Sequence, residues 1–76
     1  MISIQIHDEW IRLDQLLKLA ELVDSGGLAK MLIQDGFVYV DGEICTMRGK
    51  KIRPGQRVRL SFPEADLDEE IEVRGE

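Results

Sequence analysis

Seventy-six residues, 43% hydrophobic and 33% charged, suit one small domain with a modest core and exclude a disordered chain. One cysteine, Cys45, excludes an internal disulfide and stands apart from the thiols and histidines that a zinc site needs, so it reads as a small apolar residue in a reducing compartment. The net charge of -5 argues against a polyanion partner for the chain as a whole, but residues 1–60 carry nine basic and eight acidic side chains, and residues 61–76 one basic and seven acidic.

The opening "ISIQI" alternates, with Ile2, Ile4 and Ile6 on one side, and predicts a half-buried strand. That alternation differs from a secretory leader, and no apolar run reaches membrane-spanning length, so a cytoplasmic location is expected. "IRLDQLLKLAELV" then predicts a helix whose apolar stripe is Leu13, Leu16, Leu17 and Ala20, broken by Asp24, Ser25, Gly26 and Gly27. A second helix is predicted from about Gly27 to Asp35. Its buried side is Leu28, Ala29, Leu32 and Ile33, Lys30 and Gln34 face outward, and Gly36 is its left-handed cap.

"FVYV" and "EICTM" read as strands joined at Asp41-Gly42, a strong two-residue hairpin signal. Pro54-Gly55 reads as the centre of a turn. "RVRLSF" follows as a strand, with Val58, Leu60 and Phe62 inward and Arg57, Arg59 and Ser61 outward. "PEADLDEE" reads as an acidic connector and "IEVR" as a last strand with Ile71 and Val73 inward. Strand, two helices and several strands make an α+β domain, in which a helix-turn-helix pair packs on a small, mainly antiparallel sheet.

Little in the chain suggests catalysis. His7 is the sole histidine, beside Asp8 and Glu9, with no nucleophile to serve. Asp14, Glu21 and Asp24 lie largely off the apolar stripe and read as a solvated face. The C-terminal carboxylates lack calcium-loop spacing, so neither a metal nor another cofactor is expected.

Two stretches suggest anion binding instead. In "DSGGLAK", Ser25 is a candidate N-cap, Gly26 and Gly27 leave amides open at a helix start, and Lys30 stands one turn on. The same residues also make an ordinary tight turn, which alone is the better reading. "RGKKIRPGQRVR", residues 48–59, holds Arg48, Lys50, Lys51, Arg53, Arg57 and Arg59 and no acid. Such runs are often solvated and guard sheet edges, but six crowded cations repel one another, and a polyanion relieves that repulsion while releasing its own counterions. Phe37 and Tyr39 alternate with valines, and two aromatics make a thin stacking platform, so recognition of RNA shape and backbone is expected over sequence readout.

The ordered pieces resemble the S-four RNA-binding domain family. Arg12-Leu13-Asp14 opens the first helix, and Leu32-Ile33 with Gly36 ends the second. Val38, Val40, Asp41 and Gly42 form its hairpin, and Pro54-Gly55 precedes Val58 and Leu60. The resemblance covers about two-thirds of the chain. Many members carry an arginine at the start of the second helix, where Gly26 stands here. Gly26-Gly27-Leu28-Ala29-Lys30 and Arg48-Gly49-Lys50-Lys51 are similar to the small free-standing bacterial YbcJ/YaaA type.

The resemblance implies a domain spanning 1–76, with a core motif at 11–60 and an acidic segment at 63–76. It also implies binding of structured RNA, ribosomal or transfer RNA being candidates, with ribosomal or RNA-processing proteins as further partners and a monomer as the expected state. The candidate RNA-binding residues are Arg12, Ser25, Gly26, Gly27, Lys30, Arg48, Gly49, Lys50, Lys51 and Arg53, expected on one face. Arg57 and Arg59 are left outside this set, because the outward side of their strand can point away from that face. No catalytic partner domain fits in 76 residues. The alternative is a protein-interaction adaptor whose acidic segment and basic stretch each dock a partner, or dock each other in competition with RNA.

Overall fold

The alternating isoleucines form β1 (Ile2–Gln5) in the computed structural model, which describes residues 1–76. The chain continues through β2 (Ile11–Arg12), α1 (Leu13–Leu19), α2 (Gly26–Gln34), β3 (Val38–Val40), β4 (Glu43–Ile44), β5 (Lys51–Ile52), β6 (Arg57–Phe62), a 3-10 turn (Pro63–Ala65) and β7 (Leu67–Arg74). Five strands make one sheet in the order β1-β7-β6-β3-β4, parallel only between β1 and β7, and β2 and β5 make a separate antiparallel pair. This is the expected α+β arrangement. Leu13, Leu16 and Leu17 of α1 and Ala29, Leu32 and Ile33 of α2 join Val38, Val40, Val58, Leu60, Ile71 and Val73 in one buried cluster. The helices therefore share a core with the sheet. No helix is long and apolar enough to cross a membrane.

Helix α1 is shorter than its periodicity suggests at both ends. Ile11 and Arg12 pair with Ile52 and Lys51 as strand, so the helix starts only at Leu13. It stops at a left-handed Glu21 (φ 60°), where the amide of Leu22 donates to the carbonyl of Leu17 and that of Glu21 to Lys18. That bond pattern is a Schellman stop, built here without the usual glycine. Helix α2 ends in the same way at Gly36 (φ 87°), as expected, with Phe37 donating to Leu32 and Gly36 to Ile33. Leu28, expected in the core, is 37% exposed, and Ala29, Leu32 and Ile33 suffice to bury the inner side of α2.

Asp41 (φ 50°) and Gly42 (φ 88°) both take positive dihedrals, the pattern of a type I′ hairpin between β3 and β4. Gly55 (φ 95°) supplies the left-handed position of the Pro54 turn, and its amide donates to the carbonyl of Val73.

The acidic segment is the largest departure from the sequence reading. Leu67 to Glu70 is part of an eight-residue strand, not a connector. β7 lies between β1 and β6, with Ile71 and Val73 buried. Acidic residues are poor strand formers on average. Here Asp68, Glu70 and Glu72 stand opposite Ser61, Arg59 and Arg57, and cross-strand charge pairs offset the propensity.

Candidate nucleic-acid interface

The basic stretch of residues 48–59 divides into two parts with different electrostatic fates. On β6, Arg57 pairs with Glu70 (3.3 Å) and Glu72 (3.7 Å), and Arg59 holds Asp68 through two bonds of 2.9 and 2.7 Å. The Arg59 guanidinium holds the Asp68 carboxyl below its ordinary range, and Arg74, then Arg57, does the same for Glu72. The Asp68 hydrogen bond in turn raises the pKa of Arg59. The acidic segment thus docks on the strand half of the basic stretch.

Residues 48–53 are different. Arg48, Lys50, Lys51 and Arg53 are exposed and make no ion pair. The backbone beneath them is fixed. Lys51 pairs with Arg12 in the β2–β5 ladder, and the buried Ile52 anchors the loop in the core. The carbonyl of Lys50 accepts from the Leu13 amide (2.9 Å) and that of Arg48 from the Asp14 amide (3.1 Å). Helix starts leave amides without intrahelical partners. At α1 the loop's own carbonyls satisfy two of them, and the Asp14 carboxylate accepts from Gln15 (2.8 Å). The start of α1 is therefore occupied by the chain itself, and its contribution is to hold the basic loop in place.

Asp14 also fixes Arg12. It is the only buried charged residue, and its second oxygen takes the Arg12 guanidinium at 2.9 Å, while Arg12 remains 45% exposed. Arg12 thus stands beside Lys51 with its stem positioned and part of its donor set open. Gly49 lies between the loop's cations with open space where a side chain would stand.

At the second helix, Ser25 is the N-cap, and its hydroxyl oxygen accepts from the Leu28 amide at 3.2 Å. The amides of Gly26 and Gly27 donate to no protein acceptor, and Lys30 is exposed one turn on without an ion pair. The hydrogen bonds bring Arg12 and residues 48–51 together. None ties Ser25–Lys30 to the loop, so the two groups are separate elements of the candidate site.

Two features escaped the sequence reading. Gln56 braces the loop's C-terminal end: its side-chain carbonyl accepts from the Arg53 amide (2.8 Å) and its amino group donates to Asp41 (2.9 Å). Asp41 also accepts from the Arg57 amide, and these bonds, Arg57's first, keep its carboxyl below the usual range. Trp10 lies against the loop, with the Lys51 ammonium 4.8 Å from its ring centroid. Trp10 stands two residues before Arg12, but its contact is with residue 51, and sequence order alone gives no sign of it. Phe37 packs on Phe62, with ring centroids 4.6 Å apart, and is used in the core rather than as a platform.

Comparison with known proteins fits this arrangement. A family model described as "S4 domain" matches residues 4–73. The chain is 40% identical over 57 residues to the "Probable ribosome maturation protein RlbA" of Bacillus subtilis (strain 168), a match covering 75% of this chain and 80% of that protein. It is 35% identical over 66 residues to an "Uncharacterized RNA pseudouridine synthase" of Aquifex aeolicus (strain VF5), covering 87% of this chain but 21% of the synthase. The second match is confined to one small part of a much longer protein. With nearly its whole length matched by the family model, the chain belongs to the S4 domain family, a family associated with RNA binding.

Proposed function

We propose that this chain is a non-catalytic RNA-binding module that docks on structured RNA in the cytoplasm. The observation that carries the reading is the split of the basic stretch. Its strand half is neutralised by β7, whereas Arg48, Lys50, Lys51 and Arg53 stand unpaired on a loop fixed by backbone hydrogen bonds. The loop backbone is already ordered when phosphates arrive, so only the side chains lose freedom on binding, and each contact releases counterions from the RNA. Arg12 and Lys30 extend the set, and the free amides of Gly26 and Gly27 receive one phosphate at the start of α2. Gly49 lets the RNA backbone approach the loop closely. The loop and the start of α2 each contact the RNA, and the chain works as a monomer. Ribosomal RNA is the favoured target, because the relative from Bacillus subtilis is named for ribosome maturation.

The test is the salt dependence of binding to a folded RNA. Six cations (Arg12, Lys30, Arg48, Lys50, Lys51 and Arg53) predict a slope of log K against log salt of about -4 to -5. A slope near zero, or no binding even at low salt, overturns the reading.

A further inference from the structure

Trp10 is the only tryptophan of the chain, and it is not used as tryptophans usually are. A large aromatic side chain normally contributes heavily to the core. Trp10 is half-buried, lies outside the buried cluster and does not pack against it. Trp10 instead lines an open concavity of about 500 Å³ together with Asp8, Glu9, Ile11, Arg12 and Gln15. The Lys51 ammonium sits 4.8 Å from the ring centroid, a cation–π contact that holds the indole in place. Arg12 and Lys51 are paired across the β2–β5 ladder, so cations flank this aromatic surface.

We infer that the Trp10 concavity is a stacking site for one unpaired nucleobase of the bound RNA. The inference rests on the RNA-binding reading and adds single-stranded recognition to it. Every base has a π-face, so an indole beside a phosphate-binding loop takes a base without demanding a sequence. Arg12 and Lys51 receive the phosphates on either side of the stacked nucleotide. Asp8 and Glu9 make no ion pair and oppose a phosphate in the concavity itself. Their carboxylates, with the side-chain carbonyl oxygen of Gln15, accept from the amino edge of adenine, guanine or cytosine. Aromatic stacking and phosphate contact together are the ordinary way in which proteins hold unpaired RNA.

The experiment uses the full chain and two fluorescein-labelled RNAs with the same stem, one closed by an unpaired purine loop and one fully paired. Anisotropy of the label reports binding, and indole emission reports Trp10 alone. The looped RNA is expected to quench Trp10 and to bind more tightly than the paired one. Trp10→Ala lowers its affinity by about five- to 150-fold, the range for loss of one stacked base, and Trp10→Phe retains most of it. If the looped RNA binds while emission is unchanged, or if Trp10→Ala binds like the unmodified chain, the stacking site is overturned and the RNA reading stands. If neither RNA binds even at low salt, both fail. Should Trp10→Ala not fold, the quenching and Trp10→Phe arms decide.

Discussion

Replacing Ile71 with alanine removes a fully buried side chain from the strand that the sequence presents as an acidic tail. Ile71 stands in β7 between Ile2 of β1 and Val58 of β6, so the cavity opens in the middle of the sheet. Truncations of this kind cost about 2–5 kcal/mol. A 76-residue domain has a total stability of about 4–11 kcal/mol, at about 0.05–0.15 kcal/mol per residue. The substitution therefore removes about half of what holds the fold. With a urea m-value of about 1 kcal/mol/M for so small a protein, the unfolding midpoint falls by about 2 M or more. Circular dichroism against urea measures it, with Glu64→Ala, on the exposed 3-10 turn, as a control that stays within about 0.5 kcal/mol. If Ile71→Ala behaves like the control, β7 is not integral to the sheet, and the pairing of its acids with Arg57 and Arg59 cannot be what separates the two halves of the basic stretch.

The carboxyls of Asp41, Asp68 and Glu72 are all held below their ordinary values, so their hydrogen bonds stabilise the fold at pH above the usual carboxylate range. That contribution is lost as pH falls through their folded-state values, and thermal melts of Asp68→Asn should show a shallower loss of stability on acidification below about pH 4 than the unmodified chain. Ser25→Ala should cost about 1 kcal/mol of stability by removing the N-cap of α2, read by urea unfolding. An L-residue at Gly36 meets the left-handed backbone rather than a steric wall, since the nearest atom is 4.0 Å away; Gly36→Ala should therefore destabilise by about 1–2 kcal/mol without rearranging the core.

Local signals with a single physical cause were legible in the sequence. Asp41-Gly42, Pro54-Gly55, Ser25 and Gly36 each demand a particular dihedral or cap, and each takes it. The bounds of α1 were not legible. Ile11 and Arg12 belong to a strand only because β5 arrives from 40 positions further along, and Glu21 stops the helix in a conformation its residue type does not favour. β7 was half legible: Ile71 and Val73 alternate clearly, whereas Leu67 to Glu70 look like solvated chain until Arg57 and Arg59 stand opposite them. For the candidate site, the cations themselves were visible as a cluster. Their division into paired and unpaired groups depends on that same strand pairing. The bonds that tie the loop to α1 run through backbone groups, which carry no residue-type signal, and Trp10 meets Lys51 only through the β2–β5 ladder.

Under the proposed function, the unpaired loop, and not the strand arginines, meets RNA. The direct measurement is binding of one folded RNA, across salt concentrations, by two variants of the full chain. Arg48→Glu, Lys50→Glu and Lys51→Glu together alter only exposed side chains and should abolish detectable binding while the protein stays folded. Arg57→Gln with Arg59→Gln, which removes cations already paired with β7, should bind within about three-fold of the unmodified chain and lower the salt slope by less than about 1. Equal loss in both variants, or loss in the strand variant alone, would overturn the loop as the RNA-binding element.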